Sequence, residues 1–200
     1  MSKIILPVSY RPKKRKRIEE PVENTVSTEN KTPYKFSCAM LNISDDIVPI
    51  IKYWIRKFIP CESLYINEDE GMDGYEDIPH VTIKYGIHES SPDKLKSLVY
   101  GYGTVGLNFG TVSRFDINPK FDVLKIEMNG EKLTNLNKII SDNMESTDTF
   151  DQYKPHCTLA FIQKGSCTEL DGNDFFTDLK DLVDEIYFTS KEGKGYFIEL

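Results

Sequence analysis

Hydrophobic positions recur with two different periods after Pro33, and these periods predict alternating strands and helices. Alternating or continuous apolar runs, typical of strands, occupy Lys35 to Ile43, Pro79 to Gly86, Val105 to Phe115, Phe121 to Met128, Pro155 to Ile162, Glu185 to Ser190 and Tyr196 to Leu200. Helical spacing follows the capping sequence Ser44-Asp-Asp, follows Ser90-Ser-Pro-Asp, and runs from Glu131 to Met144. The acidic, Gly-containing segment from Asn67 to Asp77 is predicted to be a loop.

The two halves of this region use the same elements. Strands with interleaved helices occur in both, and the last two strands flank Lys191-Glu-Gly-Lys-Gly, which is typical of a closing hairpin. A proline followed by His-x-Thr begins one strand in each half. This weak internal duplication predicts an α+β protein with two similar lobes that face one another.

Residues 1–33 have a different character. They contain 8 Lys/Arg against 4 Asp/Glu and show no apolar periodicity after Val8, which predicts a flexible arm in front of one domain at residues 34–200. The basic cluster from Arg11 to Arg17 resembles a nuclear-import signal or a nucleic-acid tether, so an import receptor or nucleic acid is the expected partner of the arm. Solubilising tails carry the same clusters, and that alternative stays open.

Charge limits the class of ligand that the domain binds. The whole chain of 200 residues has a net charge of −7, and residues 34–200 alone carry −11. A body this acidic is a poor general binder of long nucleic acid, because neutralising phosphates requires surface Lys and Arg. A small anionic ligand held by a few specific groups remains compatible with the composition.

Composition also bears on location and on metals. No run approaches the roughly 20 apolar residues of a membrane helix, and the first residues lack the order of a secretory signal. The four cysteines form no C-x-x-C pair and only three histidines are present, which argues against a zinc site and for free thiols in a reducing compartment. We therefore predict a cytoplasmic protein with no membrane segment and no metal, while the basic cluster leaves a nuclear location open.

Two of the three histidines occur in matching surroundings. They are found in Pro79-His80-Val81-Thr82 and Pro155-His156-Cys157-Thr158, which are separated by 76 residues. Because side chains alternate along a strand, the His and Thr of each motif share one face, while Val81 and Cys157 point into the packing on the other. Two facing lobes bring two imidazoles and two hydroxyls to one cleft.

This set of groups suits a metal-independent phosphodiester reaction. One neutral imidazole takes a proton from the attacking oxygen, the other, as imidazolium, gives one to the leaving oxygen, and two hydroxyls hold the phosphoryl oxygens. Histidine suits both roles because its ordinary pKa of about 6.5 makes both forms available near neutral pH. A single His-x-Thr is ordinary strand sequence, but two copies with the same proline and the same strand context favour the catalytic interpretation.

With these motifs, residues 34–200 resemble the 2H phosphoesterase superfamily, which is defined by two His-x-Thr/Ser motifs. The resemblance implies a bilobal, pseudo-symmetric fold of two antiparallel sheets with flanking helices around a central cleft. The acidic loop before PHVTIKYGIH, the sequence TFDQYKPHCTLAFIQKG and the terminal hairpin are most similar to the phage anti-CBASS protein 1 family. Members of that family degrade the cyclic di- and trinucleotides of bacterial antiphage signalling. The basic arm is not part of the family pattern.

The resemblance also implies roles for the motif residues. His80 and His156 act as base and acid, and Thr82 and Thr158 orient the scissile phosphate. In this type of reaction a ribose 2′-hydroxyl attacks its own 3′–5′ linkage and gives a 2′,3′-cyclic phosphate that water then opens. No metal or other cofactor is implied. Which histidine acts first as the base stays open.

Other residues are candidates for substrate binding. Phe36, together with Tyr34, and Tyr153 before the second motif are candidates for stacking on a base, with core or rim packing as the alternative. Lys84 is expected on the face of His80 and Thr82, where it offsets phosphate charge, unless it is a solvated lysine at a strand end.

Three further positions complete the prediction. Glu185, with Asp184 as its competitor, is a candidate acceptor for hydrogen bonds from a base edge, because the resembling family has an acidic residue near its C-terminus. His88 lies outside both motifs and is expected in a surface loop, and Cys157 is expected to be buried rather than nucleophilic.

The predicted function is hydrolysis of 3′–5′ bonds in cyclic oligonucleotides such as 3′,3′-cGAMP, in evasion of CBASS immunity. One alternative is an enzyme of the same fold that acts on RNA ends or on 2′,3′-cyclic phosphates. The other is a non-catalytic module that binds nucleotides and retains the histidines as relics. The sequence does not indicate an oligomeric state.

Overall fold

A computed structural model of the chain describes residues 34–70, 72–148 and 150–200. The predicted arm at residues 1–33, with its basic cluster, lies outside the described residues. No helix in the described ranges is both long and apolar enough to cross a membrane.

Eight strands and three α-helices form the main elements of the described residues, which also contain three single-turn 3-10 helices. In order they are β1 (Ser37–Asn42), α1 (Val48–Phe58), β2 (His80–Ile87), α2 (Asp93–Val99), β3 (Val105–Phe115), β4 (Phe121–Asn129), α3 (Glu131–Asn143), β5 (His156–Gln163), β6 (Lys180–Val183), β7 (Glu185–Thr189) and β8 (Gly195–Glu199). The predicted α+β class and the closing hairpin of β7 and β8 are confirmed.

The strands form one antiparallel sheet in the order β6-β3-β4-β5-β2-β1-β7-β8. The order is that of two four-stranded halves joined where β2 pairs with β5. The two predicted antiparallel sheets are continuous with each other, because Val81 of β2 pairs with Cys157 of β5. The two strands that begin with the histidine motifs are neighbours at the centre.

The two halves repeat one unit of strand, helix and motif strand, which is β1-α1-β2 in the first and β4-α3-β5 in the second. These two helices both reach the other half, since α1 contacts β5 and α3 contacts β2, and α3 also contacts β3 of its own half. The helices bury apolar stripes that the sequence predicted, with Ile51, Trp54 and Ile55 from α1 and Leu133, Leu136 and Ile140 from α3. Because these stripes are buried against the sheet, the helical face of the sheet holds the core. Burying one such side chain stabilises the fold by about 1.5–3 kcal/mol.

Both motif strands carry a β-bulge directly after the motif. On β2, Met40 of β1 pairs with Thr82 but the preceding Ala39 pairs with Lys84, so Ile83 is an extra residue. On β5, neighbouring residues of β4 pair with Thr158 and Ala160, so Leu159 is the extra residue. A bulge reverses the alternation of side chains beyond it, and only the residues before it keep the face of the motif.

Some predicted boundaries were wrong. The helix predicted directly after Ser44 begins at Val48, because the Ser44 carbonyl accepts hydrogen bonds from the Ile47 and Val48 N–H groups in a turn before the helix. Part of the predicted loop at residues 67–77 runs along β5, where Tyr75 pairs with Ala160. The short strand β6 was not predicted.

Candidate active site

The two motifs form a square of four polar residues on the face of the sheet opposite the helices. Since Val81 pairs with Cys157 in antiparallel register, His80 lies across from Thr158 and Thr82 lies across from His156. Val81 and Cys157 are fully buried, as predicted, while the four motif residues are half-buried. The histidines occupy one diagonal, on which Cβ atoms are roughly 7–8 Å apart. This spacing leaves room for a phosphate group between the two imidazoles.

Both imidazoles are held in the same way. Nδ1 of His80 lies 2.7 Å from the Ile78 carbonyl oxygen, and Nδ1 of His156 lies 2.8 Å from the Lys154 carbonyl oxygen. A carbonyl only accepts hydrogen bonds, so Nδ1 carries the proton in each ring and Nε2 of the neutral form has the lone pair. Each ring therefore offers Nε2 for proton transfer.

The surroundings of the two histidines differ. The His156 ring meets the edge of Phe115, with centroids 4.9 Å apart and planes at 86°. Burial lowers the pKa of His156, and the nearby positive charge of Lys125 lowers it further, while a hydrogen bond to the Lys154 carbonyl and the carboxylate of Glu127 oppose the shift. His156 is therefore biased towards the neutral form.

Lys125 and Glu127 extend the polar face onto β4. They are the partners of Thr158 and His156 in the β4–β5 register. The Lys125 ammonium group is hydrogen-bonded to Glu127 and donates to the Ser113 hydroxyl at 2.6 Å. Burial raises the pKa of Glu127, but the hydrogen bonds from Lys125 and Ser113 outweigh it and hold the pKa below its ordinary value. Glu127 is thus ionised at neutral pH.

Beside His80 the charged neighbour is a carboxylate. Oε1 of Glu76 lies 3.8 Å from Nδ1 of His80. Burial raises the pKa of Glu76, and the neighbouring His80 opposes part of that shift. Glu76 is therefore the acidic neighbour of His80 on this side of the site.

Two side chains lie near the first threonine. One is Cys38, a free cysteine whose pKa burial raises to about 12, so its thiol stays protonated. The Tyr153 hydroxyl donates to the Thr82 carbonyl oxygen at 3.0 Å. Tyr153 packs against the core, and burial raises its pKa. Tyr153 is therefore a positioning residue that joins the segment before β5 to β2.

The expected position of Lys84 is wrong. The bulge at Ile83 turns Lys84 to the face of its partner Ala39, away from the histidines. Its side chain is only 5% exposed, and its ammonium group lies 2.5 Å from Oδ1 of Asp148. Lys84 is thus part of an ion pair on the helical side of the sheet.

Phe36 lies at the far end of β2. Its ring stacks on His88, with centroids 5.5 Å apart, and meets the edge of Tyr85 at 5.9 Å. Tyr85 is five positions from His80, roughly 15 Å along a strand, so the structure does not bring Phe36 beside the histidines. His88 lies in the loop that follows β2, as expected, and its Nε2 is 2.8 Å from the Thr147 hydroxyl.

Glu185 lies on the same face as the histidines. Glu185 begins β7 and shares a face with Tyr187, two residues further along the strand. Tyr187 pairs with Met40 of β1, and Met40 pairs with Thr82 of β2. Glu185 is therefore two strands from β2 on the motif face. Its competitor Asp184 precedes β7, and its carbonyl accepts a hydrogen bond from the N–H of Leu200.

Two pairs of aromatic side chains flank the square, one in each half. Phe115 and Phe150 are nearly parallel beside His156, with centroids 6.3 Å apart. Tyr187 and Phe197, with centroids 4.9 Å apart, lie in the row of Thr82. Phe150 and Phe197 are 58% and 67% exposed, which leaves apolar ring surface open to a ligand.

Sequence reasoning missed Glu76, Lys125, Glu127 and the aromatic pairs, none of which belongs to a motif. For Lys125 and Glu127 the sequence did contain a signal, which is their alternation along β4. This strand precedes the second motif strand, and its polar face continues that of β5. Among residues 34–70, 72–148 and 150–200, no group of three His, Cys, Asp or Glu side chains is arranged to hold a metal ion.

Comparison with known proteins identifies the fold. No protein-family model and no curated protein matches the sequence. Among solved structures, Escherichia coli LigT complexed with 3′-AMP is similar with a TM-score of 0.53 and 16% identity, over 85% of this chain and 96% of that one. The protein TT0787 of Thermus thermophilus is similar with a TM-score of 0.55 and 13% identity, over 82% of this chain and 94% of that one.

A third similar structure is Kluyveromyces marxianus Usb1 with uridine monophosphate, with a TM-score of 0.50 and 9% identity over 82% of this chain and 98% of that one. Identities this low show the fold alone. The predicted bilobal α+β fold is confirmed as the fold of these solved structures, with its two halves continuous in one sheet.

Proposed function

We propose that this protein is a metal-independent phosphodiesterase that hydrolyses 3′–5′ bonds of cyclic di- and trinucleotides such as 3′,3′-cGAMP, and thereby evades CBASS immunity. The observation that carries the proposal is the square in which two imidazoles, each with Nε2 available, alternate with two threonine hydroxyls. This arrangement supplies a base, an acid and two donors around one phosphate.

In the first step, Nε2 of neutral His156 takes the proton of a ribose 2′-hydroxyl. The 2′-oxygen attacks the adjacent phosphorus and the bond from phosphorus to the 5′-oxygen breaks. The imidazolium of His80 gives its Nε2 proton to the leaving 5′-oxygen. The lowered pKa of His156 and the Glu76 carboxylate beside His80 support this assignment of roles.

In the second step the roles exchange. His80, now neutral, takes a proton from water, the water oxygen attacks the 2′,3′-cyclic phosphate, and His156 returns its proton to the departing 2′-oxygen. Both histidines then have their starting protonation. The hydroxyls of Thr82 and Thr158 donate to the non-bridging phosphoryl oxygens in both steps.

Two observations support a small substrate with more than one base. The aromatic pairs of Phe115 with Phe150 and of Tyr187 with Phe197 lie in opposite halves, so each offers a ring surface on one side of the scissile phosphate. Base stacking on an aromatic ring contributes about 1–3 kcal/mol per base. The net charge of −11 over residues 34–200 disfavours a long polyanion.

A second candidate function is cleavage at RNA ends or of 2′,3′-cyclic phosphates. The solved structures of similar fold favour it, because LigT was complexed with 3′-AMP and Usb1 with uridine monophosphate. The same two-histidine chemistry serves both functions, so the substrate distinguishes them.

The test is chromatography of products after incubation with 3′,3′-cGAMP, cyclic tri-adenylate, a short linear RNA and a nucleoside 2′,3′-cyclic phosphate, with EDTA present. We expect cleavage of the cyclic oligonucleotides in EDTA and a loss of about 10²- to 10⁴-fold in His80→Ala and in His156→Ala. His88→Ala is the matched control, because it removes the third histidine from the far end of β2 and is expected to keep full activity.

The other outcomes are equally informative. Cleavage of only RNA or the nucleoside cyclic phosphate replaces the proposed substrate by the second candidate. Activity that EDTA abolishes contradicts the metal-independent mechanism. Tight binding of 3′,3′-cGAMP without turnover makes the protein a nucleotide-binding module.

A further inference from the structure

The two halves of the site are alike in their motifs and different in the strands that flank them. β1 flanks the first motif strand as β4 flanks the second. Thr82 pairs with Met40, whereas Thr158 pairs with Lys125. In the same way His80 pairs with Asn42, whereas His156 pairs with Glu127. The uncharged positions of the first half therefore correspond to an ion pair in the second.

Lys125 is held within the protein. Its side chain is 3% exposed, whereas that of Glu127 is 42% exposed. The ammonium group lies 4.4 Å from the centroid of Phe115, the ring whose neighbour is His156. The same ammonium group donates hydrogen bonds to the Ser113 hydroxyl and the Glu127 carboxylate. A lysine so enclosed acts on the site through its neighbours rather than on substrate.

The charged groups that face His156 come from two strands. β4 contributes Lys125 and Glu127, and β2 contributes His80. β3 contributes the uncharged side chains of Ser113 and Phe115, and the segment before β5 contributes the Lys154 carbonyl. The ion pair on β4 is therefore the permanent charge nearest to His156 among these groups.

We propose that Lys125 and Glu127 are positioning residues that make the two histidines unequal, so that His156 starts the reaction as the base and the substrate is cleaved in one orientation. The assignment rests on the proposed function, in which one histidine must be neutral when the other is charged. Lys125 disfavours a second positive charge on His156, and Glu127 limits that effect. The first half, with Met40 and Asn42, has no such pair at the equivalent positions.

The test is titration of the three histidines by NMR in the full chain. Lys125→Met reproduces the residue of β1 and leaves Glu127 alone beside His156, so the pKa of His156 rises. Glu127→Gln leaves the lysine, so the pKa of His156 falls. In the pH profile of kcat/KM the acidic limb moves in the same two directions. Because Glu127 is half-exposed, its variant is expected to fold even if the substitution at Lys125 is disruptive.

Lys138→Met is the matched control for charge, because it removes one positive charge from the exposed face of α3. It is expected to leave all three titrations unchanged. The proposal is overturned if the two variants at β4 shift His156 in the same direction, if neither shifts it beyond the control, or if His80 shifts as much as His156. Opposite shifts of His156 in a protein that cleaves nothing uphold the ion pair's effect and reject the proposed function instead.

Discussion

Each imidazole of the two motifs is oriented by a backbone carbonyl two residues before it, at Ile78 and at Lys154. In both motifs the residue between that carbonyl and the histidine is a proline, which has no N–H group and a fixed φ. Pro79 and Pro155 thus restrict the backbone between each carbonyl and its ring. The proline noted in the sequence is part of how the ring is held.

Tyr153 provides a prediction at the residue scale. Tyr153→Phe removes the hydrogen bond to the Thr82 carbonyl while keeping the ring, and we expect a loss of about 0.5–1.5 kcal/mol in the free energy of unfolding. Because this bond joins the segment before β5 to the motif strand β2, kcat is expected to fall as well. Urea denaturation and steady-state kinetics measure the two effects.

Tyr100→Phe is the control for this substitution, since Tyr100 is 87% exposed. It is expected to change neither quantity. An equal loss of stability in both variants would show that the Tyr153 hydroxyl contributes nothing specific.

The sequence predicted the residues of the square but not their neighbours. His80, Thr82, His156 and Thr158 stand out because two short motifs repeat. Lys125 and Glu127 do not, because their contribution depends on which strand β5 pairs with. Lys84 was assigned to the wrong face because strict alternation holds only up to the bulge at Ile83.

At the scale of elements, regular runs were predicted well and irregular ones were not. The alternation from Val105 to Phe115 matches β3 residue for residue, and the helical period from Glu131 matches α3 to within one residue. The start of α1 was missed because a turn precedes it, and β6 has only four residues. Short or bulged elements depend on contacts with distant segments, which local periodicity does not contain.

Gly86 gives a prediction at this scale. It is an extra residue of β2 with φ of +86°, and a Cβ there would lie 2.0 Å from the Thr147 carbonyl oxygen. Gly86→Ala is therefore expected to destabilise the protein by more than the roughly 1–2 kcal/mol that a left-handed conformation costs an ordinary residue. It also displaces the segment that holds Asp148 against Lys84. Urea denaturation measures the change.

Gly101→Ala separates the two contributions. Gly101 has φ of +74° with nothing within 4 Å of its Cβ position, so its substitution carries only the conformational cost. The difference between the two variants measures the close approach at Thr147. If the variants lose equal stability, that close approach is relieved without cost.

At the scale of the whole molecule, every residue of the candidate site lies among the described residues, which begin at Tyr34. Removal of residues 1–33 is therefore expected to leave kcat/KM for the cyclic substrate and the melting temperature unchanged. Removal of residues 1–38 is the contrasting deletion, and it is expected to lower both quantities. It removes two residues of β1, the buried Ser37 and Cys38, which lies near Thr82. A large loss of turnover in the shorter deletion would show that the catalytic domain begins before Tyr34.

The central pairing of β2 with β5 has a consequence for biosynthesis. The two motifs touch in the sheet but are 76 residues apart in the chain, so at 5–20 residues per second the ribosome takes roughly 4–15 s to make the second after the first. During that interval β2 lacks its partner β5, so the proposed site of two histidines cannot form. Closing so long a loop is slow compared with local folding. The four residues of the proposed site therefore come together only after the second motif has been synthesised.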